Sequence, residues 1–156
     1  MIWDACGVFR VASREGEAAF DRVLVTLAPP LFLGLAPDLP AAYRRQLAAI
    51  AYTANQCLIL GLDRPLTDIY WLNVGDARFP FGGVIEHTNL IPAAEYQGLH
   101  VAYLTRYLDQ HHPDFLLPQA ELLGRLEPFL REINPAFDRS WVREAHLFRS
   151  PFAAPV

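Results

Sequence analysis

The sequence predicts an α+β fold, with a mixed, largely antiparallel sheet and helices packed on one face. Three observations predict it. Short apolar and β-branched runs follow one another through the middle of the chain, separated by turn chemistry at Arg64-Pro65, Gly75-Asp76 and residues 94–98. Short sequential strands with tight turns build antiparallel or mixed sheets. Near the end, Leu122, Leu123, Leu126, Phe129, Leu130 and Ile133 recur at helical spacing and form one apolar stripe. The 156 residues are 53% hydrophobic, enough for a single domain with its own core. That content is rich for a soluble domain of this size and implies a second buried surface, in a larger protein or an oligomer.

The elements are expected in this order. Residues 7–12 read as a short strand, and Ser13-Arg14-Glu15-Gly16-Glu17 as a polar turn. Residues 20–27 (FDRVLVTL) read as a second strand, completing a hairpin, and Pro29-Pro30 ends it because proline cannot donate to a ladder. Pro37 and Pro40 bracket a loop before a helix over residues 40–50. Strands follow at 55–63, 68–74, 84–88 and 100–107. A second helix covers residues 118–133, with Pro128 expected to kink it by removing the bond to the Gly124 carbonyl. A last strand covers 142–148, and the tail SPFAAPV is expected to end apolar and unpaired. Such a tail, and a strand beginning within a few residues of the first methionine, suggest a piece of something larger.

Composition excludes several functions. The formal net charge is −4 with no basic cluster, so nucleic acid is not expected as a partner. All 13 cationic residues are arginine, which removes every Schiff base, lysine general base and P-loop lysine. Cys6 and Cys57 share no CxxC spacing and read as reduced, partly buried thiols of a cytoplasmic protein. No apolar run reaches the roughly 18 residues a membrane span needs, and the N-terminus lacks a signal-peptide pattern.

The stretch FGGVIEHTNLI, residues 81–91, concentrates candidate chemistry. Glu86 and His87 could belong to a metal site, an acid/base pair or an ordinary strand with a polar end. On a strand, neighbouring side chains leave opposite faces. Glu86 would then side with Val84 and Thr88, and His87 with Ile85 and Asn89, which prevents Glu86 and His87 from chelating one metal together. His111-His112-Pro113-Asp114 resembles a metal cluster by composition alone, since no second group has ligand spacing. Neither GxGxxG nor GxSxG is present. Tyr70, Trp71, Phe79, Phe81, Tyr96, Tyr103 and Tyr107 all fall in the strand region. A sheet face carrying them could bind an apolar or planar ligand, and equally they could be core beneath the helices.

Taken together, AFDRVLVTLAPP, NQCLILGLDRPLTDIYWLNV, FPFGGVIEHTNLI, INPAFDRSWV and RSPFAAPV resemble the FAD-dependent oxidoreductases of the amine oxidase class, near the phytoene-desaturase-like and protoporphyrinogen-oxidase-like branch. The resemblance covers nearly the whole chain. It implies the substrate-binding domain of such an enzyme, a mixed sheet with helices on one side, without the glycine-rich segment that binds the dinucleotide. It further implies a substrate face that includes Tyr70, Trp71, Asn73, His87, Asn89 and Tyr103. The crossing segment VLVTLAP would place Thr26, Leu27, Ala28 and Pro29 next to the cofactor. FAD would belong to the parent enzyme, with none expected on this chain alone, because the pyrophosphate needs the absent glycine-rich turn. The implied partners are the FAD-binding domain or a second copy, and a small apolar or planar substrate. Some members use a lysine that reaches the flavin through water; its absence here leaves desaturation or another dehydrogenation open. Flavin enzymes leave the redox step to the cofactor, so the protein supplies orientation and water exclusion. The rival reading is an independent ligand- or protein-binding module without redox activity. A weaker third is a hydrolase using His87.

Overall fold

The described residues form two antiparallel sheets and three α-helices, as an α+β fold requires. The computed structural model describes residues 2–3 and 8–156, so Cys6 and the start of the first expected strand lie outside the described residues. The chain divides into two compact units: residues 1–51 with 155–156, and residues 52–154.

The first unit holds a three-stranded sheet in the order β1 (Ile2–Trp3), β2 (Phe9–Ser13) and β3 (Gly16–Phe20). Arg14 and Glu15 form the β2–β3 turn. The Ser13 hydroxyl accepts from the Glu15 amide and donates to the Gly16 carbonyl. Gly16 sits at φ 130°, which L-residues rarely adopt. With pairing resumed at Gly16, the return strand is residues 16–20, four residues earlier than the expected 20–27. The β-branched run at 23–26 fits a strand by composition, yet residues 21–28 are irregular and Leu24 is 89% exposed. Pro29 and Pro30 do not end a strand. They open α1 (Pro29–Leu35), where a missing N–H would have had no intrahelical partner. Helix α2 (Ala41–Ala48) follows, with Pro40 as N-cap, close to expectation. Arg44 donates to the carbonyls of Ala36 and Pro37 and so fastens the α1–α2 turn.

The second unit carries the core. Its strands are β4 (Tyr52–Leu62), β5 (Trp71–Asn73), β6 (Gly83–Glu86), β7 (His100–Leu108) and β8 (Val142–Pro155), ordered β5-β6-β7-β4-β8. The longest ladder joins β4 to β7, from Ala54 opposite Leu108 to Leu62 opposite His100. Leu58, Leu60 and Leu62 of β4, Val84 of β6 and Leu104 of β7 meet Leu122, Leu123, Leu126 and Leu130 of α3 (Gln119–Ile133). The predicted stripe is therefore the face that α3 buries, and the helix continues past Pro128.

Several boundaries move, and the expected strand 55–63 begins three residues earlier, at Tyr52. The expected strand 68–74 shortens to Trp71–Asn73, and 84–88 shortens to Gly83–Glu86. In both places hydroxyl or carboxylate side chains take up nearby backbone groups: Ile69 N–H donates to Thr67 Oγ1, and Leu66 N–H to Glu86. The last strand lengthens to Pro155. The tail is paired after all: Thr53 Oγ1 donates to the Ala154 carbonyl, and Val156 N–H to the Ala51 carbonyl.

Leu126→Ala should cost about 3 kcal/mol of unfolding free energy, the usual penalty for a leucine cavity in a tight core. Leu116→Ala, at a side chain 78% exposed, should cost less than about 0.5 kcal/mol. Urea unfolding of the two variants measures the contrast, and equal losses would mean that α3 does not seal this core.

Candidate ligand face

Side chains alternate across a strand, so the sheet of the second unit has one face under α3 and one turned away from it. Cross-strand register sorts the residues turned away into rows. Trp71, Ile85, Tyr103 and Ile59 stand opposite one another on β5, β6, β7 and β4. Asn73, Gly83, Thr105 and Cys57 form the next row. Asn55 and Tyr107 begin a third. Between the first two rows lies Leu72, Val84, Leu104 and Leu58, which points into the core. Among the positions of β4 to β7 that face away from α3, none is charged. Trp71 and Tyr107 remain 55% and 65% exposed, so the face is open.

The strand-region aromatics divide between the two sides. Phe79 and Phe81 pack against Phe129 of α3, with ring centroids 5.1 and 6.5 Å away, and are core. Trp71, Tyr103 and Tyr107 occupy the open face. Tyr70 sits edge-on to Trp71 and stays 39% exposed. Trp71 Nε1 donates to Asn73 Oδ1 at 2.9 Å, which orients both side chains along the sheet edge.

Glu86 and His87 part company, though not by strand alternation. The strand ends at Glu86, and His87–Asn89 form a 3₁₀ turn. Glu86 is fully buried. One carboxylate oxygen accepts from Leu66 N–H at 2.9 Å and the other from Thr88 Oγ1 at 2.8 Å. Thr88 Oγ1 in turn accepts from Val101 N–H. His87 Nε2 lies 2.6 Å from the Tyr96 hydroxyl, and its ring stands edge-on to Tyr96 and Tyr103 at 5.3 and 5.7 Å. Asn89, expected on the same side as His87, instead donates to the Thr67 carbonyl at 2.9 Å and fastens a loop, because the 3₁₀ turn breaks the two-residue period. Tyr96 reaches His87 because Gln97 and Gly98, at φ 56° and 85°, reverse the chain directly after its turn.

The β4 to β7 part of the face is uncharged, with Glu144 of β8 at its border beside Gly61. Burial holds the Tyr103 phenol above the ordinary tyrosine range, and nearby Tyr96, Cys57 and Tyr70 act the same way by disfavouring a phenolate. Burial also pushes the Cys57 thiol up, which leaves it a poor nucleophile. Residues 111–114 are structural. His112 Nδ1 accepts from Asp114 N–H, and Asp114 pairs with the largely buried Arg106 and with Arg125. Among the described residues no group of three His, Cys, Asp or Glu side chains could hold a metal ion. No helix of the described residues is long and apolar enough to cross a membrane.

Thr26, Leu27, Ala28 and Pro29 lie in the first unit. The Ala28 carbonyl accepts from Leu31 and Phe32 at the start of α1. Leu27 and Pro29 line a mostly apolar cavity of about 790 Å³ with Phe32 and Tyr43, where Asp38 is the charged member.

No protein-family model and no curated protein matches the chain. Solved structures do. An Exiguobacterium sp. 255-15 protein provisionally assigned as a protoporphyrinogen oxidase superposes with a TM-score of 0.65 at 15% identity, over 96% of this chain and 33% of its own. An oxidoreductase from Methanosarcina mazei superposes at 0.57 with 22% identity, over 88% of this chain and 34% of its own. At these identities the likeness is one of fold. The chain spans about a third of the length of the structures it matches.

Sequence reasoning selected Trp71, Asn73 and Tyr103, which the register brings to one face, and His87, which abuts it. It missed Ile85, which stands between Trp71 and Tyr103, and Ile59, which follows Tyr103 in the row. Their signal was present in the alternation of β4 and β6, but only the pairing register shows which residues stand opposite.

Glu86→Ala leaves the Leu66 amide and the Thr88 hydroxyl without an acceptor and should cost about 2–3 kcal/mol; Glu86→Gln, which keeps one carbonyl acceptor, should cost roughly half of that. Denaturant unfolding separates the two, and an Ala variant as stable as wild type would remove the latch. The Tyr103 shift predicts a pH dependence. Its folded pKa lies above the unfolded value of about 10, so its contribution is complete below that pH and is lost as pH climbs through the folded pKa. Tyr103→Phe should therefore flatten the alkaline fall in stability and remove a late-titrating phenol from the tyrosinate absorbance curve.

Proposed function

We propose that this chain is the substrate-binding domain of an FAD-dependent oxidoreductase of the amine oxidase class, with the open sheet face receiving a planar, apolar substrate. The observation that carries the reading is the aromatic face of β4 to β7: Trp71, Tyr103 and Tyr107 offer flat apolar area, and Asn73, Thr105 and Cys57 supply neutral polar atoms between them. Ligand sites of this kind are mostly apolar with a few placed polar groups. The oxidoreductase names of the fold's neighbours, one of them carrying a porphyrinogen substrate in its name, support the same class.

In this reading the flavin, held by a separate FAD-binding domain on the same or another polypeptide, supplies the redox chemistry. This chain's residues orient the substrate and exclude water from it. Tyr70, Trp71, Asn73, His87 and Tyr103 are the substrate contacts. Asn89 supports the loop beneath them. Thr26, Leu27, Ala28 and Pro29 belong to the segment next to the cofactor. The apolar cavity that Leu27 and Pro29 border fits a packing role better than a pyrophosphate site, which needs backbone donors at a glycine-rich turn.

The test is the flavin content of the protein as the cell makes it. The native protein, isolated together with whatever it is joined to, should show flavin absorbance and release flavin on acid precipitation. The 156-residue chain alone should be colourless. A native protein that is intact and free of flavin would overturn the proposal in favour of a binding module.

A further inference from the structure

Resting on the reading of this face as a ligand surface, the geometry points to His87 as its specificity anchor, donating an Nδ1–H hydrogen bond to a carbonyl or ether oxygen on the rim of a planar, uncharged ligand. The imidazole is held by two tyrosines. Its Nε2 is 2.6 Å from the Tyr96 hydroxyl, and two tyrosine rings, Tyr96 and Tyr103, stand edge-on against it. Tyr103 belongs to the Trp71–Ile85–Tyr103–Ile59 row, so the imidazole borders that row.

The Tyr96 contact decides the tautomer. In neutral imidazole one nitrogen carries the proton and the other accepts. A phenol is a far stronger acid than a neutral imidazole N–H, so the Tyr96 hydroxyl donates to Nε2 and the ring proton resides on Nδ1. Nδ1 has no hydrogen-bond partner among the described residues, and it is not among the buried polar atoms that lack one. It is thus an oriented donor open to the surface. A histidine serving only the core has its second nitrogen satisfied by protein, and one that merely decorates the surface is not clamped by two rings.

Charge sets the class of acceptor. No side chain of β4 to β7 on this face is charged, and the carboxylate of Glu144 borders it from β8 beside Gly61, so an anionic ligand lying across it would lose water without gaining a counter-ion. A neutral oxygen bears that loss far more easily. The donor therefore selects among planar neutral molecules by whether they carry an acceptor at the rim.

Xanthene and xanthone, tricyclic molecules that differ by one carbonyl, test this. Binding to the full chain is followed in mildly alkaline buffer by quenching of Trp71 fluorescence, with Trp71→Phe defining the background. Wild type should bind xanthone about three- to tenfold more tightly than xanthene, the worth of one neutral hydrogen bond. His87→Phe should bind both equally, at the wild-type affinity for xanthene. A xanthone preference that survives His87→Phe would overturn the proposal while leaving the ligand face intact. Failure of both molecules to quench Trp71 would overturn the face and the anchor with it. If His87→Phe does not fold, ¹⁵N–¹H spectra of wild-type imidazoles read the same bond. The proton should reside on His87 Nδ1 and its resonance should shift with xanthone but not with xanthene; a proton on Nε2 would refute the assignment.

Discussion

The carboxylate of Glu86 holds the open-face side of the second unit together. It is fully buried, and a buried carboxylate is tolerated only when its oxygens are occupied by donors. Here the donors come from two places in the chain: the Leu66 amide, twenty residues upstream, and the Thr88 hydroxyl just downstream. Thr88 extends the connection to the Val101 amide near the start of β7. One side chain thus fixes the loop that enters β5, ends β6, and ties the turn after β6 to β7. The same turn delivers His87 to Tyr96 and Tyr103. Glu86 acts on the face through geometry and touches none of its rows.

Two surfaces of one sheet divide the work. The row Leu72, Val84, Leu104 and Leu58 is sealed by α3, and the rows on either side of it, carrying Trp71, Tyr103, Asn73 and Cys57, are left open. A two-residue period makes this division unavoidable once α3 covers one side. Polar groups under the helix side are arranged differently. Gln56 and Arg106 are cross-strand partners, and both reach the loop at Asp114, where the amide and the guanidinium anchor residues 113–116. The charges of the sheet centre are therefore kept on the helix side, and the opposite face of β4 to β7 carries none.

How much was legible in the sequence follows from the range of the forces involved. The α3 stripe could be read because helical period and burial coincide along fifteen consecutive residues. The strands β4 and β7 could be read for the same reason, being long and apolar. Residues 20–27 could not, because a β-branched run has the propensity of a strand whether or not a partner is available, and the two-residue turn after Ser13 had already committed pairing to residues 16–20. Asn89 and His87 were mispaired because a local hydrogen bond from Thr88 outweighed the extended conformation their neighbours favour. Trp71, Asn73 and Tyr103 were found as isolated residues. Their assembly into adjoining rows depends on register, a property of three strand pairings at once.

The two units differ in what they bury, and the difference bears on the proposed role. The second unit has a leucine-rich core, whereas no described residue from 8 to 51 is fully buried, and Leu24, Leu27, Leu31 and Leu35 of the first are all exposed. Apolar side chains left in water forfeit the main favourable contribution to folding, and contiguous exposed groups of them mark surfaces that associate. Under the proposed function the first unit would supply the surface that a partner covers, and the second would support the open face. A substrate domain that docks on a separate cofactor domain needs both properties. Its sheet must keep its shape without the partner, so that the ligand rows stay in register. In the proposed role, Leu27 and Pro29, which border an apolar cavity, would be the segment that a cofactor domain covers.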